Sequence, residues 1–167
     1  NKLRYLEYII GHYKSEKFDS IIHAGGNNSN YMGQLAMIGA IEDIPIHIIL
    51  NKRPDTLQGN PLIEKLFGAN LYFSDKKYDT NSLPKEKLRK KLVSNGQKPY
   101  VIDYPEGNYF AYLGYMRAFN EIISQQANVD IDHIYFKDML FTEPIFLSLY
   151  IYIYIFNELL ELKSESK

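Results

Sequence analysis

The sequence predicts an α/β protein, a three-layer αβα arrangement around a mostly parallel sheet. Three observations predict it. Short apolar runs rich in β-branched or aromatic residues recur along the chain. The gaps from one run to the next, roughly 25–35 residues, each hold a segment with helical periodicity, the pattern of βαβ units. Runs such as "IHIIL" at 46–50 are apolar with almost no alternation, as a strand covered on both faces requires.

Taken in order, Leu3, Leu6, Ile10 and Tyr13 form a helical stripe before the first strand, "SIIHA" at 20–24. A helix is expected over 29–42, with Met32, Leu35, Ala36, Gly39 and Ala40 on one face. The strand at 46–50 follows, then a short helix over 60–68 with apolar Leu62, Ile63, Leu66 and Phe67. "NLYFS" at 70–74 reads as a third strand. The polar stretch 74–87 reads as a surface connection, and a basic helix over 83–95 has Gly96 as its C-cap. "PYVID" at 99–103, a helix over 112–126 and "HIYF" at 133–136 complete the pattern. Crossovers of this kind are right-handed, so the sheet is Rossmann-like.

Composition narrows the class. The chain has 167 residues, enough for one domain with a core, and 46% are hydrophobic and 23% charged, as in soluble globular proteins. The net charge of -1 lacks the basic excess of nucleic-acid binders, so no nucleic acid is an expected partner. The basic run at 85–91 then reads as a solvated helix face. The absence of cysteine excludes disulfides, thiolate catalysis and cysteine zinc sites, and fits a reducing, cytoplasmic setting. His12, His23, His47 and His133 are dispersed without metal-ligand spacing; His23 and His47 read as hydrogen-bonded core residues. Residue 1 is Asn and no Met precedes the first helical pattern, so the chain is read as a fragment.

The stretch "AGGNNSN" at 24–30 leaves a strand and enters a helix, where ligands bind in such sheets. Gly25 and Gly26 permit close backbone approach, and Ser29 and Asn30 are N-cap types whose helix would offer free N–H groups to an anion. Alone, the loop reads as a capped turn. It is not a dinucleotide fingerprint, because the third glycine and the later ribose-binding acid are not in place. Asp103, Glu106 and Asp132 are acid–base residue types that nothing in the sequence pairs.

Its order after "NKLRYLE" at 1–7 changes that reading. The two motifs, with Gln34, "GNPLIEKLFGANLYF" at 59–73, "KPYVID" at 98–103, "LGY" at 113–115 and "IDHIYF" at 131–136, resemble the 1-aminocyclopropane-1-carboxylate deaminase and D-cysteine desulfhydrase family. These are pyridoxal-phosphate enzymes of the tryptophan-synthase-β fold, also called fold type II. The resemblance covers residues 1–136, equivalent to the N-terminal half of such an enzyme; residues 137–167 form a divergent hydrophobic tail.

The resemblance implies a pyridoxal 5'-phosphate cofactor, a small amino-acid substrate and a homodimer. Lys2 matches the lysine that carries the cofactor and moves the substrate proton, a role that needs the deprotonated amine. Asn30 matches the residue that hydrogen-bonds the phenolic oxygen of the cofactor ring. Ser29 matches the catalytic serine whose hydroxyl and neighbouring N–H groups hold the substrate carboxylate. Tyr31 stands where the family has a histidine or glutamine beside the substrate, and Tyr5 replaces a basic residue.

After Phe136 the family has a glycine- and threonine-rich phosphate cup, whereas this chain reads "KDMLFTEPIFLSL", without glycine to its last residue. A phosphate cup needs close backbone approach, so poor cofactor binding and no turnover are expected. The tail is uncharged from Pro144 to Asn157, shorter than the about 20 apolar residues of a membrane span, so no span is expected. Its alternating Ile and Tyr residues favour β pairing. Two other readings stand beside the enzyme: a non-catalytic α/β binding or interaction remnant, and an unrelated Rossmann-like enzyme holding another anion at the same loop.

Overall fold

The computed structural model describes residues 2–51, 53–74, 83–102 and 109–125. The expected strand at 133–136 and the tail from 137 lie outside them, as do Asp103, Glu106 and Asp132. In order, the elements are α1 (Lys2–Ser15), β1 (Ser20–Ala24), α2 (Asn30–Glu42), β2 (Ile46–Leu50), α3 (Asn60–Leu66), β3 (Asn70–Phe73), α4 (Leu83–Ser94), β4 (Pro99–Val101) and α5 (Tyr109–Gln125).

The four strands form one parallel sheet in the order β3-β2-β1-β4. Ile21 lies between Ile46 and Tyr100, and Ile22 between His47 and Val101. β1 and β2 are buried along their whole length, which explains the apolar residues on both their faces, with Ser20, His23 and His47 as buried polar members. Alternate strand residues supply two cores. Ile21, Ile46, Ile48 and Leu50 pack with Leu6, Ile9 and Ile10 of α1 and Met32 and Leu35 of α2. Ile22, Ala24 and Ile49 pack with Leu88 and Leu92 of α4 on the other face. The chain is thus layered helix, sheet, helix.

Two glycines set close approaches. A Cβ on Gly39 would lie 2.2 Å from Ile46 Cγ1, so α2 rests directly on β2. A Cβ on Gly114 would lie 2.1 Å from the carbonyl oxygen of Arg4, so α5 meets α1 backbone to backbone. Arg117 bonds Glu7 at 2.9 Å along the same seam, and Arg4 bonds Glu121. At the amino edge of the sheet, Phe18 stacks on Tyr100 at 4.9 Å and His12 meets Tyr100 at 5.3 Å, joining the α1–β1 turn to β4.

Several boundaries and faces differ from the sequence expectation. The helix expected from 112 begins at Tyr109, and Leu83–Lys87 belongs to α4 rather than to a connection over 74–87. Ser29 precedes α2 as its N-cap. Ala40 is exposed, and Tyr31 takes its place in the buried set of α2. Leu3 is also exposed, with Ile9 inside instead. The largest difference is α3. Leu62, Ile63, Leu66 and Phe67 face outward, while Pro61 and Glu64 are buried. With seven residues, α3 has one packed face, and α2 rather than hydrophobicity selects it.

Replacing Gly114 by valine drives a side chain into the Arg4 carbonyl, which a flexible neighbour cannot absorb. Gly114→Val is expected to lower stability by about 1–3 kcal/mol in urea unfolding, the usual cost of overpacking. An unchanged midpoint would show that α1 and α5 separate freely.

Candidate functional site

The site lies at the carboxyl end of β1, where the strand order reverses between β2 and β4. The loop after β1 is held at several points. Gly25 N donates to Ile49 O at 3.0 Å, and Asn51 N donates to Asn27 Oδ1 at 3.0 Å, tying the loop to the end of β2. Ser29 N donates to Gly26 O at 3.0 Å, closing a turn.

Ser29 has extended backbone angles, φ -77° and ψ 112°, but its side chain makes no capping bond. Its hydroxyl is therefore uncommitted to α2, whereas its own N–H is spent on the turn. The first N–H groups of a helix lack the i−4 carbonyl partner of later ones, and the third of α2, Met32 N, donates to Ser29 O at 3.2 Å. Asn30, the first residue of α2, is exposed, and its Oδ1 accepts a 3.1 Å bond from Asn60 Nδ2 at the start of α3. That leaves the two Asn30 amide protons as donors.

Tyr31 is buried beneath this edge. Its ring meets the edge of Tyr5 at 5.7 Å and of His23 at 5.2 Å. His23 Nδ1 lies 2.9 Å from Ile102 O, fixing the ring over β1. Tyr5 also meets Tyr115 of α5 at 6.1 Å. These contacts orient α1. Its 14 residues rise about 21 Å and run back along β1, so its amino end stands at the carboxyl end of the sheet. Lys2, half-buried, is the first residue of α1, one turn before Tyr5. The structure brings the Lys2 end of α1 and the Ser29–Asn30 end of α2 to one edge, with Tyr31 packed below them.

Sequence reasoning missed Asn60 and Glu64. Both lie on the face of α3 that meets α2, one turn apart. Glu64 is fully buried, and neither carboxylate oxygen has a hydrogen-bond partner among the described residues. Burial pushes its carboxyl up to about 7. A carboxylic acid at position 64 was visible, but its burial among apolar neighbours in sequence was not. His47, as expected, is buried and hydrogen-bonded: its Nδ1 lies 3.2 Å from Tyr72 Oη on the α4 side, and burial lowers its pKa. Among the described residues no group of histidine and carboxylate side chains could hold a metal ion, and no helix is long and apolar enough to cross a membrane.

No family model matches the chain. Its fold is that of solved fold type II enzymes, among them a pyridoxal 5'-phosphate-dependent aspartate racemase with a TM-score of 0.54 at 15% identity, over 76% of this chain and 35% of that one. By sequence the chain is homologous to the 1-aminocyclopropane-1-carboxylate deaminase and D-cysteine desulfhydrase family. It is 32% identical over 149 residues to the mitochondrial bifunctional D-cysteine desulfhydrase/1-aminocyclopropane-1-carboxylate deaminase of Arabidopsis thaliana, covering 83% of this chain and 37% of that protein. The crystal structure of an ACC deaminase homologue matches with a TM-score of 0.68 and 30% identity, over 75% of this chain and 38% of that one. The chain thus spans less than two fifths of the length of these relatives.

Two stability outcomes follow. Because the Ser29 hydroxyl does not cap α2, Ser29→Ala is expected to change urea stability by less than about 0.5 kcal/mol; a loss of about 1 kcal/mol or more would reveal a cap. For Glu64, the folded state keeps its proton to a higher pH than the unfolded chain does. Its contribution is full below the unfolded value near 4.5 and is lost as pH rises through about 7. Stability should fall by up to about 3 kcal/mol between about pH 4 and pH 8, and Glu64→Gln should flatten that slope. A slope unchanged by the substitution would assign it to other groups.

Proposed function

We propose that the chain supplies the lysine-bearing α/β portion of a pyridoxal-phosphate-dependent deaminase or desulfhydrase acting on a small amino acid, by carbon–nitrogen or carbon–sulfur cleavage. The observation that carries this reading is the meeting, at the carboxyl end of β1, of the amino ends of α1 and α2 through the 5.7 Å contact of Tyr5 with Tyr31. That contact supports reading Lys2, Ser29 and Asn30 as parts of one site.

The residues present fit the ring end of the cofactor. Asn30 directs its Oδ1 at Asn60, which leaves its NH2 edge for the opening, and a donor is what a phenolate oxygen needs. Lys2 would hold the group covalently through its amine. The bound cofactor withdraws electrons from the substrate's α-carbon. Once the substrate's amine has displaced it from that bond, Lys2 Nζ would take and return the proton at that carbon. Ser29 Oγ donates to the substrate carboxylate and fixes its direction. Tyr31 shapes the floor from below, through its ring. The residues after Phe136, where the resemblance places the phosphate, lie outside the described residues; their lack of glycine supports weak binding and no turnover by residues 1–167 alone.

The second reading, a non-catalytic binding or interaction remnant, draws on that same lack of glycine and on the hydrophobic tail. Titration with pyridoxal phosphate separates the two. The visible absorbance of lysine-bound cofactor is expected to appear in the wild-type chain, saturating only at high concentration, and to vanish in Lys2→Ala. Absence of the band, or its survival in Lys2→Ala, favours the remnant.

A further inference from the structure

Asn60 stands outside the motifs that assign roles to Lys2, Ser29 and Asn30, yet it makes the direct side-chain contact to Asn30. Its position is tightly specified. Gly59, the N-cap of α3, adopts φ +61° and ψ -139°, a left-handed φ that favours glycine. Pro61 fixes the next backbone angle, and Ile63 N closes the first turn on Gly59 O at 3.2 Å. α3 then packs on α2, so the first residues of the two helices meet.

The contact has a polarity. Asn60 Nδ2 donates and Asn30 Oδ1 accepts, at 3.1 Å. A carboxamide has a donor edge and an acceptor edge, and either could face the opening. With its oxygen occupied, Asn30 turns its NH2 edge outward. The reverse orientation would set a carbonyl oxygen against any anionic oxygen bound there.

We infer that Asn60 is a positioning residue that locks the Asn30 amide with its donor edge toward the site, and so selects an anionic oxygen, the ring phenolate in the functional reading above, as its ligand. That reading supplies the identity of the ligand; the amide orientation stands on the contact alone.

Asn60→Asp is the sharpest variant. It is nearly isosteric, an acidic residue is favourable in a helix's first turn so α3 should persist, and its carboxylate only accepts. The pair can then form only if Asn30 turns over. The full 167-residue chain without cofactor is read by side-chain amide hydrogen exchange in NMR. In the wild type the Asn60 amide should exchange about fivefold more slowly than that of Asn30, the effect of one hydrogen bond. In Asn60→Asp the Asn30 amide should slow by a similar factor, and in Asn60→Ala it should stay fast. With pyridoxal phosphate added, the pH midpoint of the visible band should move in Asn60→Asp in the same direction as in Asn30→Ala, by about fivefold in the proton equilibrium. Asn60→Asp should add nothing on an Asn30→Ala background, which a merely structural role would not produce.

Equal exchange of the two amides in the wild type, or an Asn30 amide unaffected by Asn60→Asp, overturns the orientation. A midpoint shift that persists on the Asn30→Ala background overturns the route through Asn30. A wild-type chain with no cofactor band overturns the functional reading instead, while the exchange measurement still decides the orientation.

Discussion

Where Gly114 rests on the carbonyl of Arg4, two helices touch with no side chain between them. The position of Lys2 depends on that contact. The ion pairs beside it, Arg4 with Glu121 and Arg117 with Glu7, lie at the surface, where such pairs contribute little. The hydrogen bond from Arg4 does hold the Glu121 carboxyl below its usual range. Closeness comes from the missing Cβ. On its other side α1 buries Leu6, Ile9 and Ile10 against the sheet. A helix held on two sides keeps its first turn in place, and a lysine that must reach a fixed atom needs such a base.

The rest of the site follows from the direction of the crossovers. β1 to β2 and β2 to β3 step the same way across the sheet, so right-handed connections place α2 and α3 on one face. The step from β3 to β4 returns past β1 and places α4 on the other face, where Leu88 and Leu92 cover Ile22 and Ile49. Asn30 and Asn60 each open a helix that follows a strand. Two equivalent positions in neighbouring βα units therefore come together, and their side chains bond.

This explains what the sequence disclosed. β1 and β2 were legible to the residue because strands buried on both faces leave no choice of side chain. Gly96 was legible as a helix terminator, and its φ of +82° shows why a glycine stands there. The family motifs were legible because Lys2, Ser29 and Asn30 lie in short segments with fixed order. The face of α3 was not. Its apolar side chains Leu66 and Phe67 are exposed, because over so few residues the helix turns by whatever contact its neighbour offers. Asn60 was invisible for the same reason: nothing local distinguishes an asparagine before proline in a turn from one aimed at another helix. Tyr31 was assigned by the family resemblance, and the structure adds what the sequence did not disclose, the burial of its ring against Tyr5 and His23.

The seam between α2 and α3 carries polar groups deeper than its first rung. One turn along from Asn30 and Asn60 stand Gln34 and Glu64, on the same faces by helical spacing. Gln34 Oε1 and both oxygens of Glu64 are buried without hydrogen-bond partners among the described residues. Apolar residues there would make a more stable seam, since each unmet buried polar group costs about 1–3 kcal/mol. An acid with a pKa of about 7 lessens that cost by keeping its proton over much of the pH range, and a protonated carboxyl is a donor as well as an acceptor. A purely apolar seam could slide or rotate with little penalty. The bond of the first rung allows few registers, because displacing it costs both amides the contact they make. The register of α3 on α2 is the quantity that places Asn60 opposite Asn30, and the bond between those two amides fixes it, while the buried polar groups of the second rung cost the seam stability.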